Sequence, residues 1–353
     1  MNLISRMEAQ DYEQVIAFQN AATGLRGFLA IHDTTLGPAL GGVRIWPYAS
    51  EAEALDDALR LARAMTYKAA ISELPCGGGK AVILQHEGLK REEGFEAFGK
   101  LVNSLNGRFF TGVDVGITQR DINAIGRATK YVACESNPEL GDISEHTARG
   151  VWHGMRACLE SAGIRRARVA VQGVGSVGML LARILRREGM ELVVSDIDTV
   201  RAKAAEVELG ARAVPPEELL FTDCDVLAPC ALGGVIGVAD VPSLRARIVC
   251  GSANNVLASP EAGDALAQRD ILYAPDYLVN AGGLIRGAEF YLLGRRNSWE
   301  SIERIYHRMQ RVIQMAREQG IATARAADQL AESRLKRPKH FRDLHWGPAA
   351  SRP

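Results

Sequence analysis

Two sets of residues in this chain have the types and spacing to do chemistry. The first is Gly173-Val174-Gly175-Ser176-Val177-Gly178. It follows a strand-like Arg168-Val-Ala-Val-Gln172 and opens a helical stretch that reaches Glu188. In that setting the first glycine permits a tight turn, the second lets a pyrophosphate approach the backbone, and the third lets helix and strand pack closely. Free N–H groups at the helix start would face the anion. A second strand, Glu191 to Ser195, delivers Asp196 at about the 20-residue offset of a carboxylate that binds ribose hydroxyls, with Ile197 beside it as a further cofactor contact. A carboxylate there repels a 2′-phosphate, so the pattern points to NAD rather than NADP. Arg201 is a nearby guanidinium that could accommodate such a phosphate, with a solvated helix surface as its alternative role.

The second set is Lys68, Lys80 and Asp114. Cys76-Gly-Gly-Gly-Lys80 places a lysine after three glycines and before a strand-like Ala81-Val-Ile-Leu84. It lacks the strand-to-helix setting and the following Ser or Thr of a phosphate-binding loop, while its glycines permit close approach of backbone and substrate around an ammonium group. A lysine near its reference pKa of about 10.4 is a poor base at neutral pH, and burial or a second positive charge brings it toward the working range. Lys68, closing Met65-Thr-Tyr-Lys68, could be that second charge or could hold a substrate carboxylate. Asp114, between Gly112 and Gly116, can accept from an ammonium or exchange its proton. By themselves the two lysines read equally well as surface residues and the aspartate as part of a turn.

The elements that must position these residues alternate between strand-like and helix-like, which argues α/β layers with largely parallel strands. Gly27 to His32 reads as a strand and Gly37 to Gly42 as a glycine-rich turn. Ser50 with Glu53 forms a capping box for a helix running to about Ile71. A helix follows from about Arg91 to Leu105, then a strand at Phe109 to Gly112. Thr118 with Asp121 caps another helix ahead of a strand at Tyr131 to Cys134. Glu135 to Ser144 is the expected hinge, and a helix from about Glu145 to Ser161 opens the second domain. After the two strands around the glycine turn, short apolar runs come at Val226-Leu227, Ile248-Val249 and Ile271 to Tyr273, and helices dominate from Gly283.

Composition bounds the function. The chain has 353 residues, 47% hydrophobic and 24% charged, which fits a globular protein of two domains. Its 42 basic side chains balance 42 acidic ones, removing the electrostatic reason to propose nucleic acid or an anionic membrane as partner and favouring a small molecule. Met1 to Tyr12 has no basic-then-apolar start, and no run approaches the ~20 apolar residues of a membrane span. The six cysteines are spread without disulfide density or metal-ligand pairing, so a cytoplasmic location and no metal are expected. Trp46 and Trp152 read as packing residues, His32 and His153 as structural histidines, and Arg334 to Pro353 as a loosely held tail.

Taken together, His32-Asp-Thr-Thr-Leu-Gly-Pro-Ala-Leu-Gly-Gly42, Met65 to Lys68, Gly77 to Lys80, the Asp114 turn, the Gly173 turn, Ala228-Pro-Cys-Ala-Leu-Gly-Gly234, Gly251-Ser-Ala-Asn-Asn255 and Asn280-Ala-Gly-Gly283 resemble the leucine/phenylalanine/valine branch of the Glu/Leu/Phe/Val amino-acid dehydrogenases over nearly the whole chain. The resemblance implies an N-terminal α/β substrate and oligomerisation domain over residues 1–140 and a Rossmann-type NAD-binding domain over 145–325, with an active-site cleft between them. Helices from about 325 to 353 would pack back on the first domain. It implies NAD-dependent oxidative deamination of an L-amino acid to its 2-oxo acid and ammonia, acting on the CH-NH2 group, and the reverse reductive amination, in a homo-oligomer.

By the same resemblance, Lys80 is the catalytic acid/base, Asp114 takes part in proton transfer at the amino group, and Lys68 holds the substrate carboxylate with the Gly41-Gly42 backbone. Asn254 or Asn255 bridges substrate and nicotinamide. Thr147, Cys230, Ala231, Ala253 and Asn280 contact the cofactor. Met65, Leu40, Gly112, Ala133, Leu284 and Gly287 line the substrate site. Leu40 is apolar where a glutamate-specific relative would place a cation, and Gly287 replaces a bulkier aliphatic residue, so a large apolar or aromatic substrate is expected. Ser144-Glu-His-Thr147 departs from the usual Ser-Pro-x-Thr. With Arg149 and Arg286 it adds polar groups, which fits surface drift or a specialised biosynthetic enzyme with a more polar substrate. The rival outside catalysis is an idle NAD-binding regulatory protein.

Overall fold

The computed structural model describes residues 2–133 and 137–336. Cys134, Glu135 and Ser136 of the expected strand end and hinge, and residues 337–353 of the expected tail, lie outside them. The chain divides into two compact units. One takes residues up to Gly141, Phe290–Gly294 and the chain from Glu332; the other takes Asp142–Glu289 and Arg295–Ala331.

The first unit is built on a six-stranded sheet of β1 (Gln14–Asn20), β2 (Leu25–Asp33), β3 (Ala39–Leu40), β4 (Val43–Trp46), β5 (Gly77–Leu84) and β6 (Phe109–Phe110). Its order is β1-β2-β5-β3-β6, with β4 also paired to β5. Here the expectation of largely parallel strands is corrected: β1 with β2 and β2 with β5 are antiparallel, while β3 and β4 run parallel to β5. The connection from β1 to β2 is a tight turn, which only an antiparallel pair tolerates. The expected glycine-rich turn at Gly37 to Gly42 contains β3.

The triple-glycine segment does not precede a strand; it is the first half of β5, whose residues are all buried. The spaces left by its missing side chains are filled by the chain itself. A Cβ on Gly77 would overlap the Asp33 carbonyl, one on Gly78 the backbone of Thr66, and one on Gly79 would stand 2.9 Å from the Phe109 ring. The helix Glu51–Ile71 therefore lies directly on β5, presenting Ala54, Ala58, Ala62 and Thr66 from a small-residue face. Ser50 caps it by accepting from Glu53 N–H at 3.1 Å, while the Glu53 carboxylate reaches back to Ala49 N–H at 2.8 Å. On the other side of the sheet, Leu29, Ile31, Ile83, Phe95, Phe98 and Phe109 form a core. The full Thr118/Asp121 capping box starts the helix Gln119–Ala128.

The second unit holds β7 (Arg168–Gln172), β8 (Glu191–Ser195), β9 (Arg212–Ala213), β10 (Val226–Pro229), β11 (Ile248–Val249) and β12 (Leu272–Tyr273). Their order is β12-β11-β10-β7-β8-β9 and every pair is parallel. Counted from β7 this is the Rossmann order 3-2-1-4-5-6, whose switch point lies between β7 and β10. Val169, Ala170 and Val171 are fully buried, as a strand covered on both faces requires. The helix Ile143–Ser161 starts two residues before its expected position because Asp142 caps it, accepting from Ser144 N–H at 2.7 Å.

Helices fill the remainder, at Gly282–Leu293, Trp299–Glu303, Ile305–Gln319 and Thr323–Leu335. At the end of the last, Glu332 accepts from Tyr67 O–H at 2.9 Å and Arg334 donates to the Ala70 carbonyl at 2.7 Å.

Candidate active site

In the first unit the sheet brings Lys80 and Asp114 together. Lys80 is the fourth residue of β5 and is 5% exposed. Its Nζ lies 3.1 Å from Asp114 Oδ2, in the turn after β6. The same oxygen accepts from Arg44 Nε at 2.7 Å, and Arg44 sits on β4, the strand beside β5. Burial holds the Lys80 ammonium below its usual pKa against the pull of Asp114, and the Arg44 charge adds to the depression. Burial works to raise the Asp114 carboxyl, yet Lys80 and then Arg44 outweigh it and keep it below the usual carboxylate range. A lysine with weakened hold on its proton beside an ionised carboxylate is suited to proton transfer.

Other positions singled out in this unit fall around that pair. Lys68 is half-buried in the last turn of the helix Glu51–Ile71, one turn beyond the half-buried Met65. Gly42 packs on Asp114: a Cβ there would stand 2.9 Å from the Asp114 Cβ and 2.6 Å from the Val113 carbonyl. The Gly41 N–H already donates to the Phe110 carbonyl at 3.1 Å. Leu40 is paired in register with Phe110 and Gly78. Gly112 and Ala133 are neighbours, 3.4 Å separating the Ala133 Cβ from where a Gly112 Cβ would stand. Sequence reasoning missed Arg44, and with it Asp57 and Tyr48. Arg44 donates to Asp57 Oδ2 at 2.9 Å, and Tyr48 O–H donates to the same oxygen at 2.6 Å.

In the second unit the three glycines of the turn have separate duties. Gly173 has φ +88°, and a Cβ on it would stand 2.7 Å from the Ala231 Cβ; one on Gly178 would overlap the Gly173 carbonyl. Gly175 is the open one, with only an Arg201 guanidinium nitrogen within 4 Å, at 3.8 Å. Ser176, Val177 and Gly178 form the first turn of the helix Ser176–Arg187. Asp196 accepts from Val174 N–H and from Asp198 N–H, each at 2.9 Å, and Ile197 next to it is 91% exposed. Arg201 is paired with Asp198 at 3.3 Å on the exposed helix surface.

Cys230 and Ala231 follow β10 at the switch point, where Cys230 N–H donates to the Gln172 carbonyl at 2.7 Å, and Ala253 N–H donates to the Pro229 carbonyl at 3.0 Å. Asn254 and Asn255 are exposed, and Asn280 Nδ2 donates to Asn254 Oδ1 at 2.8 Å. Asn280 Oδ1 is buried with no hydrogen-bond partner among the described residues. An open glycine at a helix start, an anchored carboxylate and an orphaned acceptor beyond the strand ends fit a dinucleotide. Leu284 and Gly287 lie on the helix Gly282–Leu293, and nothing stands within 4 Å of where a Gly287 Cβ would be.

The Ser144 to Thr147 departure is a packing device. His146 is buried and stacks parallel on Trp299 with centroids 4.2 Å apart, its Nδ1 2.6 Å from the Asp142 carbonyl oxygen. Arg149 lies over the same indole at 5.4 Å and pairs with Glu145. Thr147 Oγ1 donates to the Ile143 carbonyl at 3.0 Å and stands 2.9 Å from where a Gly283 Cβ would be. Arg286 is buried and donates to the Arg295 carbonyl at 2.9 Å. Trp152 and His32 are buried as expected, but Trp46 is 49% exposed, because its position at the end of β4 faces outward. Among the described residues no helix is long and apolar enough to cross a membrane, and no group of three or more His, Cys, Asp or Glu could hold a metal.

Residues 12–134 match the Glu/Leu/Phe/Val dehydrogenase dimerisation domain, and residues 195–335 match Glutamate/Leucine/Phenylalanine/Valine dehydrogenase. The chain is 46% identical to a leucine dehydrogenase of Geobacillus stearothermophilus, over 95% of its own length and 94% of the relative's. It is 41% identical to an L-tryptophan dehydrogenase of Nostoc punctiforme, over 96% and 98%. The crystal structure of L-tryptophan dehydrogenase from Nostoc punctiforme superposes with a TM-score of 0.85 at 41% identity, covering 94% of this chain and 98% of that one. Matched in both halves and along nearly its whole length, the chain belongs to the Glu/Leu/Phe/Val dehydrogenase family.

Proposed function

We propose that this protein is an NAD-dependent dehydrogenase that oxidatively deaminates L-amino acids with large apolar or aromatic side chains, and aminates the corresponding 2-oxo acids in reverse. The observation that carries the reading is the buried Lys80 sharing Asp114 with Arg44. A protein that only sensed NAD would not need a buried proton-transfer pair. Residues 1–140 take the substrate and oligomerisation role, and 145–325 the cofactor role.

Lys68 holds the substrate carboxylate. Asp114 exchanges the proton of the amino group, and Lys80 in its neutral form takes a proton from the water that adds to the imino carbon. The same lysine gives that proton to the leaving nitrogen and takes up the hydroxyl proton as the C–N bond breaks and the carbonyl forms, releasing ammonia. NAD, when bound, supplies the acceptor for the hydride of the substrate Cα. Gly175 and the helix start behind it bind the pyrophosphate, and Asp196 the ribose. Thr147, Cys230, Ala231, Ala253 and Asn280 complete the cofactor contacts, and Asn254 or Asn255 the link to substrate. Leu40, Gly112, Ala133, Leu284 and Gly287 are the proposed side-chain determinants. Their small or apolar character suits leucine, phenylalanine or tryptophan, and relatives named for leucine and for tryptophan agree with that range. The five described cysteines are unpaired, which suits the cytoplasm, and the match to a dimerisation domain suits a homo-oligomer.

The test is a panel of L-amino acids and 2-oxo acids with NAD(H) and NADP(H), on the native chain and on Lys80→Ala. Ammonia and NADH should form together from large apolar substrates, with the variant slower by about 10²–10⁴. A clear preference for alanine or glutamate, or a variant as fast as the native chain, overturns the proposal.

A further inference from the structure

Asp114 gives one oxygen to two cations. Oδ2 accepts from Arg44 Nε at 2.7 Å and stands 3.1 Å from Lys80 Nζ, so whatever Arg44 draws from that oxygen is lost to Lys80. Arg44 is in turn fastened from behind. Its NH1 donates to Asp57 Oδ2 at 2.9 Å, Tyr48 O–H donates to that same oxygen at 2.6 Å, and Arg60 donates to Asp57 Oδ1 at 2.6 Å. The pieces come from different elements: Arg44 from β4, Lys80 from β5, Asp57, Arg60 and Lys68 from the helix Glu51–Ile71, and Asp114 from the turn after β6. Arg44 and Asp57 are both mostly buried, at 20% and 14% side-chain exposure, so their charges are weakly screened.

A guanidinium keeps its protons throughout the physiological range, so Arg44 cannot relay one. What it can do is compete. While Arg44 holds Asp114, the carboxylate stabilises the Lys80 ammonium less than it would alone, and the fixed positive charge repels that ammonium.

We infer that Arg44, fastened by Asp57 and Tyr48, is a positioning residue that shares Asp114 with Lys80 and so sets how readily Lys80 gives up its proton. The inference rests on the acid/base role proposed for Lys80. It assigns work to three residues outside the substrate and cofactor contacts proposed above. Arg44 weakens the hold of Lys80 on its proton, and Asp57 partly restores it, so the two should act in opposite directions.

The experiment compares native chain, Arg44→Gln, Arg44→Lys and Asp57→Asn. The first readout is kcat/KM for oxidative deamination against pH, whose acid limb reports the free Lys80 amine. The second is the pH at which Lys80 becomes reactive toward an amine-selective acylating reagent, located by peptide mass spectrometry, which needs no turnover. Arg44→Gln should move both curves to higher pH by about one unit. Arg44→Lys, which keeps the charge, should leave them within a few tenths of a unit of native, and Asp57→Asn should move them to lower pH. If Arg44→Gln stays folded by thermal unfolding but loses rate with both curves unmoved, or if both substitutions shift the same way, Arg44 is only structural and the inference fails. If instead Lys80 reactivity shifts as expected while no amino acid is turned over, the inference about Arg44 stands and the proposed function fails.

Discussion

Replacing Gly78 by alanine should be among the most damaging single-methyl additions to this protein, and the structure says why. The new Cβ would stand 2.6 Å from the Ala62 carbonyl oxygen and closer still to the backbone nitrogen and hydroxyl of Thr66. Ordinary contact begins near 3.5 Å, so the helix Glu51–Ile71 must retreat by about 1 Å or more. Nothing flexible is available to move, since the obstacles are helix backbone and a fully buried threonine whose hydroxyl also meets His32 Nδ1 at 2.9 Å. Overpacking a core costs about 1–3 kcal/mol, and a backbone obstacle belongs at the top of that range. For a unit of this size about 3 kcal/mol lowers the thermal midpoint by roughly 6–12 °C. The displaced helix also carries Asp57 and Lys68, while Gly78 itself lies two residues from Lys80. Molecules that remain folded should therefore lose about 10² in kcat/KM, the scale of a 1 Å misplacement. Urea unfolding followed by circular dichroism and NADH formation measure the two effects. The control is the same methyl at Gly287, where nothing lies within 4 Å and a helix interior prefers alanine by up to about 1 kcal/mol. A Gly78→Ala protein within about 0.5 kcal/mol of native, or one no less stable than Gly287→Ala, refutes the packing argument.

Three further outcomes are expected. Asp196→Ala removes the acceptor of Val174 N–H and the proposed ribose ligand, so KM for NAD should rise about tenfold, a loss of about 1.4 kcal/mol, while the preference for NAD over NADP narrows; an unchanged KM for NAD excludes the carboxylate from the site. Gly287→Leu should leave stability nearly untouched yet cut kcat/KM for tryptophan far more than for valine, and an equal loss for both removes Gly287 from the substrate pocket. His32 is lowered to about 4 by burial and then by Arg63. Below its ordinary pKa of 6.5 the unfolded chain binds a proton that the folded chain does not. Stability should accordingly decline from pH 6.5 down to about 4 by roughly 3 kcal/mol, at 1.36 kcal/mol per unit. Urea midpoints across that window should show a shallower slope for His32→Gln, and an identical slope assigns the decline to other groups.

Much of the frame is legible from the residues because it follows local rules. β7 and β8 have the boundaries that their apolar runs imply, and the Thr118/Asp121 pair caps its helix as its spacing requires. What stays hidden depends on partners distant in the chain. Arg44 in Val-Arg-Ile-Trp alternates like any solvent-facing strand residue, and Asp57 in Leu-Asp-Asp-Ala reads as a solvated helix face. Only folding brings Arg44 to Asp114, 70 positions away. His146 likewise reads as a polar intrusion until Trp299 is seen beneath it.

Glycine shows the limit most clearly, since the same residue type in two similar clusters does opposite things. Gly77, Gly78 and Gly79 look like a place for a ligand to approach and are filled by neighbouring chain. Gly287 has nothing within 4 Å of where its Cβ would stand, and Gly175 has only the end of the Arg201 side chain, at 3.8 Å. What a glycine does is decided by whatever stands opposite its missing side chain, and that neighbour belongs to the fold. No backbone stands within 4 Å of where a Cβ would be on Gly175 or Gly287, which makes these two, rather than the triple glycine, the positions where added bulk should be read out in binding instead of stability.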